Sequence, residues 1–243
     1  MSFPAACCNT PPVQASYTPV GAKQAIGGIE CYVSGSKDAK RGVIVNYDIF
    51  GMHANVVQLC DVLAAAGYYV VLPDLLGSDA LTEAGLGNAG VFAAFIKGPG
   101  SWAAVKDKYV AVQGYLRDSG IEAVAVVGFC WGGKMVVRAL AELDGLAGGA
   151  IVHPALIKDG DMATVRAPLL VLPSKDEPDF TAEFATLGGK PFFKQCGMVR
   201  FDDMHHGFCG ARGDWSKPEQ AKRVNDAVKL LVGFFNTTTA SRQ

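Results

Sequence analysis

Apolar positions in this chain fall into short, dense runs separated by amphipathic stretches. Residues 41–47 hold Val43-Ile44-Val45, residues 68–72 read Tyr-Tyr-Val-Val-Leu and stop at Pro73, and 124–127 read Val-Ala-Val-Val. Two more runs, 148–152 and 168–172, end at His153-Pro154 and at Pro173. Runs of this length, rich in Val and bounded by Gly or Pro, predict strands buried on both faces. A weak alternation over 28–34 and a run at 198–202 predict two further strands. Between the strands the period changes. Residues 56, 57, 59, 60, 63 and 64 form one apolar face closed by Gly67, which predicts a helix over 56–66. Helices are predicted likewise over 102–117, 134–143, 181–187 and 218–235, the last with Val224, Val228, Leu231 and Phe234 on one side. Strand and helix alternate six or seven times, the pattern of a mostly parallel central sheet with helices on both faces, an α/β fold. Residues 74–100 are rich in Gly, Ala and Leu without a clear period. They exceed an ordinary βα loop and predict a segment with its own short helix near the site. Residues 1–24 are rich in Pro, Ala and Thr and read as a surface arm; the polar tail 236–243 reads as frayed. No repeat, linker or composition break divides the chain, so one domain is expected over 1–243.

Composition narrows the class. The 243 residues are 50% hydrophobic and carry a net charge of −1, so one large core is within reach and no field favours nucleic acid or an anionic membrane. No apolar run approaches the roughly 18 residues of a membrane-spanning helix. Residues 1–15 lack the basic and apolar regions of a signal peptide. Seven cysteines, an odd number scattered along the chain, fit reduced thiols and a cytoplasmic location. The pair Cys7-Cys8 in the Pro-rich arm reads as bland rather than as a redox or metal site. The expected assembly is a monomer or weak homodimer.

The densest chemical signal is 124–133, Val-Ala-Val-Val-Gly-Phe-Cys-Trp-Gly-Gly. A buried strand runs into Gly128, Cys130 follows between glycines, and a helix begins behind it. This is the strand–turn–helix grammar of a nucleophile elbow, with cysteine at the nucleophile position. A thiol attacks as thiolate and needs a base or a positive neighbour. The histidines are 53, 153, 205 and 206. In open α/β sheets ligands bind outside the carboxyl ends of the strands, and Asp48, Cys130, His153, Asp176 and His206 all lie just past predicted strand ends. Cys130, Asp176 and His206 also follow the chain order nucleophile, acid, histidine expected on such sheets. His205 in place of His206, and Asp179 in place of Asp176, remain open. The N–H of Trp131 and that of Ile49 are the candidate oxyanion donors. His153 reads as a structural residue under the site and His53 as a helix-start or surface residue. The His205-His206 pair fits no zinc spacing; Gly-Gly-Lys134 is followed by Met, so no Walker loop is present, and no Gly-x-Gly-x-x-Gly opens a first βα unit.

These residues together resemble the dienelactone hydrolase family, α/β-hydrolase-fold enzymes with a Cys-His-Asp triad that cleave esters and lactones. Residues 128–133 match the family elbow, Asp48-Ile49-Phe50-Gly51 resembles its acidic-x-Phe-Gly loop, and Ser174-Lys175-Asp176 and His206-Gly207-Phe208 occupy the places of the acid and the histidine. The resemblance implies a cysteine-dependent hydrolase of small esters or lactones, with no metal and no organic cofactor. It implies that Asp48 helps switch the thiol to thiolate. Tyr47, Phe50, Trp131 and Phe208 either wall an apolar pocket near substrate or are ordinary core aromatics, and Arg212 is a candidate positive charge there. Bacterial members hold a substrate carboxylate with two arginines. Here Gly210 stands in one of those places, and no arginine occurs between Arg41 and Arg117. A more apolar pocket follows, closer to fungal or animal-like relatives. An acyltransferase with the same triad, and a silent binding protein on this fold, are the competing expectations.

Overall fold

The structure, a computed structural model, describes residues 13–240. Its frame is an eight-stranded sheet. A hairpin of β1 (Ala22–Ile26) and β2 (Ile29–Ser34) turns at Gly27-Gly28, both at positive φ, as such two-residue turns require. β3 (Arg41–Asn46), β4 (Tyr69–Pro73), β5 (Ala123–Phe129), β6 (Leu146–Val152), β7 (Leu169–Leu172) and β8 (Gly197–Met198) follow. The spatial order is β1-β2-β4-β3-β5-β6-β7-β8. The β1–β2 and β2–β4 pairs are antiparallel, and every pair from β4 to β8 is parallel.

The helices are α1 (Ala54–Ala65), α2 (Glu83–Leu86), α3 (Ala89–Lys97), α4 (Trp102–Asp118), α5 (Trp131–Glu142), α6 (Thr181–Ala185) and α7 (Pro218–Thr238). α1 packs against α7 and α4 against α5. The expected alternation is therefore present, and it explains the dense valine runs. Val43, Ile44, Val45, Val70, Val71, Ala125, Val126, Val127, Ile151 and Val171 are all completely buried, which requires cover on both faces of the sheet.

Two boundaries differ from the sequence reading. Residues 22–24, assigned to the arm, belong to β1, because the hairpin supplies main-chain partners that a polar, aperiodic segment does not announce. Before β1 the chain is tied down: the Val13 N–H donates to Asn225 Oδ1 at 3.0 Å and Tyr17 Oη donates to Asp61 Oδ2 at 2.9 Å. Cys7 and Cys8 lie outside the described residues. The 198–202 strand is shorter than expected, Gly197–Met198 with a bridge from Phe201 to Ser174. The chain turns there to carry residues 202–213 over the sheet edge.

Strand order reverses about β3. The chain moves from β3 outward to β4, then returns across β3 to β5. A crevice opens at such a reversal, between the carboxyl ends of the two central strands. The loop after β3 holds Asp48 to Gly51, and the turn after β5 holds Cys130.

Candidate active site

The elbow is built from close backbone approach. A Cβ on Gly128 would lie 2.1 Å from the Gly132 carbonyl oxygen, and one on Gly132 would lie 2.6 Å from that of Tyr47. Only glycine lets the strand, the turn and the first turn of α5 meet this tightly. Cys130 pays for the turn with φ 53° and ψ −116°, a conformation that costs a non-glycine residue of order 1–3 kcal/mol. Main-chain bonds hold it there. Its N–H donates to Val152 O at 3.1 Å, and its carbonyl accepts from Gly133 and Ala155, each at 3.0 Å. The thiol stands at the N-terminus of α5, where helix amides favour negative charge. Trp131 is the first residue of α5, so its N–H is not needed by the helix. Trp131 itself is locked by its indole N–H on Gly100 O at 2.7 Å and by stacking with Tyr47.

His206 comes from the turn beyond β8. Its ring shares the cavity with the Cys130 thiol, whose influence is the largest of those that raise its pKa, and its Nδ1 lies 2.6 Å from Oε1 of Glu177. Glu177 is nearly enclosed, its side chain 3% exposed, and its second oxygen accepts from the Ser174 N–H. Burial pulls the His206 pKa down. The Cys130 and Glu177 hydrogen bonds and charges outweigh that, and the result is pushed up to about 10. The ring is therefore shared between a sulfur and a carboxylate.

Asp176, expected on the imidazole, instead accepts the main-chain N–H of His206 at 2.8 Å. In the tight turn after β7 adjacent side chains diverge, so only one of the two neighbouring acids can face the ring. The exposed one steadies the histidine's backbone. Asp179 faces the start of α6, accepting from Thr181 N at 2.9 Å and Thr181 Oγ1 at 2.6 Å. His205 turns toward α7, with Nε2 3.4 Å from Gln220 Oε1. A further residue supports the acid. The Arg200 guanidinium donates to three carbonyls of the acid's turn: Ser174 at 2.5 Å, Glu177 at 3.1 Å and Pro178 at 2.6 Å. The sequence signal for Glu177 was its adjacency to Asp176; Arg200 carries none.

A cavity of about 240 Å³ opens in front of the thiol, walled by Ile49, Phe50, Leu86, Phe92, Trp131 and Leu156 among others. Leu86 and Phe92 come from α2 and α3, so the 74–100 segment supplies a wall. Phe50 and Arg212 line the cavity as expected. The Arg212 guanidinium lies 5.5 Å from the Phe50 ring centre and 3.3 Å from Glu83 Oε2 of α2. Tyr47 and Phe208 do not line it. Tyr47 is 1% exposed and its Oη bonds Asp74 Oδ1 at 2.7 Å, while Phe208 is completely buried on Phe201 and His153.

Asp48 sits in the wall with both oxygens committed. Oδ1 accepts from Phe50 N and Oδ2 from Ala211 N, each at 2.9 Å. Burial raises its pKa, and the two amides partly offset that. Its contacts are those of a bracket joining the loop after β3 to the loop after His206, rather than those of a thiol activator.

His153 lies below the site at φ 36°. It is completely buried, its ring 5.2 Å from that of His206, and its ring nitrogens find no side-chain partner among the described residues. Burial, and next the His206 charge, hold its pKa well below the usual histidine range. A histidine kept neutral by the fold contributes stability above its unfolded value of about 6.5 and loses it as pH falls, because the unfolded chain then takes up a proton that the folded one refuses. In His153→Phe the drop in melting temperature between pH 7 and pH 5 is expected to be smaller than in wild type, as scanning calorimetry at the two pH values would read.

The fold defines an α/β hydrolase, here with a thiol on the turn after β5. The dienelactone hydrolase family model matches residues 29–239, and the chain belongs to that family. An uncharacterized AIM2 family protein of Schizosaccharomyces pombe is 31% identical over 96% of this chain and 99% of its own. The mouse carboxymethylenebutenolidase homolog is 25% identical over 90% of this chain and 92% of its own. Among solved structures, a Klebsiella pneumoniae protein named as a candidate dienelactone hydrolase superposes with a TM-score of 0.70. It shares 21% identity, with 88% of this chain and 98% of that one covered, which speaks for the fold.

Proposed function

We propose that the protein is a cysteine-dependent hydrolase of small, uncharged esters or lactones that works through an acyl-enzyme, with Cys130 as nucleophile, His206 as base and Glu177 as the acid that orients it. The observation that carries this reading is the His206 ring held between Cys130 and Glu177 beside an apolar cavity. An imidazolium at His206 is the partner a thiolate needs. The thiolate attacks the carbonyl, and the N–H groups of Ile49 and Trp131 receive the oxyanion. Collapse breaks the acyl–oxygen bond, and His206 gives its proton to the departing alkoxide. The thioester carries no charge, so a principal cause of the raised His206 pKa is gone, and the neutral ring can then take a proton from water. Water attacks the thioester, the acid leaves, and the thiolate–imidazolium pair is restored. The arginine at the cavity, Arg212, is already paired with Glu83, as the His206 ring is with Glu177, which favours uncharged substrates. No helix among the described residues is long and apolar enough to cross a membrane, which is compatible with a cytoplasmic site of action.

The test is trapping. Brief exposure to p-nitrophenyl acetate followed by acid quench is expected to leave one acetyl group on the Cys130 peptide, read by mass spectrometry. Cys31, Cys60, Cys196 and Cys209 are buried and should stay unmodified. An acetyl group elsewhere, or none during turnover, would rule the acyl-enzyme out.

A further inference from the structure

We infer that the protein divides an ester between two cavities, and that the second, behind Leu156 and His206, is the subsite for the leaving alcohol, which it takes as a small uncharged group. This rests on the acyl-enzyme reading above. The second cavity measures about 260 Å³. Pro154, Ile157, Asp176, Glu177, Pro178 and Phe180 belong to it alone, whereas Ala155, Leu156 and His206 line both cavities. Cys130, Ile49 and Trp131 line only the first.

That partition matches the chemistry of the acylation step. The oxyanion donors fix where the acyl carbonyl lies. The group that protonates the leaving oxygen must be within hydrogen-bond reach of it, so the alcohol portion departs on the histidine's side. The cavity that keeps the imidazole but lacks the thiol and the oxyanion amides is the one on that side. Its volume far exceeds that of a single hydrolytic water, about 30 Å³ in the liquid. Once the alcohol has gone, the same space admits the water that His206 activates.

The partition between the cavities is held under strain. Leu156 has φ 64°, a left-handed conformation that L-residues rarely adopt. Its neighbour Ala155 is tied to the elbow through the Cys130 carbonyl at 3.0 Å. A strained non-glycine residue persists where the surroundings over-determine it, and such residues gather at binding sites. Here the strain projects an apolar side chain between thiol and alcohol cavities. The lining charges of the second cavity are the Asp176 and Glu177 carboxylates and the His206 imidazolium, with no lysine or arginine among its residues, so the balance is negative. An anionic alcohol is therefore repelled and a neutral one accepted.

Two ester series separate the halves: butanoates of methanol, butanol and benzyl alcohol, and methyl esters of acetate, butanoate and hexanoate. Ile157→Trp narrows the second cavity. It is expected to lower kcat/KM for benzyl butanoate relative to methyl butanoate by about ten-fold, since a pocket's fit to one substrate group is worth at least that. The ranking of the methyl esters should stay as in wild type. Phe92→Trp, in the first cavity, should do the reverse. Pro178→Trp, at an exposed position, repeats the alcohol arm without disturbing packing. An alcohol ranking unmoved by both Ile157→Trp and Pro178→Trp, or a shift in the acyl ranking instead, overturns the assignment while leaving the acyl-enzyme intact. Full ester turnover in Cys130→Ala would remove the acyl-enzyme reading and this subsite with it.

Discussion

Cys130→Ala is expected to lower kcat/KM for p-nitrophenyl acetate by at least about 10⁴-fold, the scale seen when a nucleophile is removed from a working triad. Alanine keeps the Cβ and meets the same backbone penalty at φ 53°, so the elbow should fold as before and the loss of activity should be chemical. Cys130→Ser tests the role of charge. A hydroxyl beside the same base ionises far less readily than a thiol, and without a thiolate the His206 ring loses its first upward influence. Serine is therefore expected to fall well below cysteine, though above alanine. An independent readout follows from the same cause. The hydrogen bond and charge of Cys130 help push the His206 pKa up to about 10, and in Cys130→Ala its NMR titration should lie lower, toward the ordinary histidine range. An alanine variant with wild-type turnover, or an unmoved His206 titration, would break the coupling on which the mechanism stands.

What could be read from the chain, and what could not, divides along physical lines. The valine runs and the glycines about Cys130 report on burial and close backbone approach, which are properties of single residues in fixed local frames. They were enough for the sheet, the elbow and the strand-end clustering of His206 and Cys130. The choice between Asp176 and Glu177 depends on which way a side chain leaves a turn. That direction is set by Arg200 pulling on three carbonyls and by Ser174 binding the carboxylate, partners distant or turned inward that no local period encodes. Tyr47 and Phe208 were open for the opposite reason. An aromatic next to a motif residue is as ready to fill core as to face substrate, and both fill core. Asp48 carried the right type for one task, while the approach of the 207–212 loop, with the Ala211 amide, gave its carboxylate another. The strained Leu156 left no trace, because leucine has no preference for positive φ that could betray it.

The assignment of the acid gives the second large effect. Glu177→Gln is expected to lower kcat by about 10⁴-fold, the scale that follows when a triad carboxylate becomes an amide and can no longer fix the tautomer or stabilise the imidazolium. Asp176→Asn should cost less than about ten-fold, because an amide oxygen can still accept the His206 N–H. The pH dependence of stability separates the two variants again. His206 has a folded pKa raised above its unfolded value of about 6.5, to about 10. Its protonated partnership thus stabilises the fold fully below the unfolded value, and that contribution is lost as pH rises through the folded one. Glu177→Gln removes one of the partners that raise it, so its stability should change less than wild type's between pH 6.5 and pH 10 in urea melts, while Asp176→Asn should follow wild type. If Asp176→Asn collapses kcat and flattens the pH profile while Glu177→Gln spares both, the carboxylate on the imidazole during turnover is Asp176, and the 2.6 Å contact of Glu177 is structural.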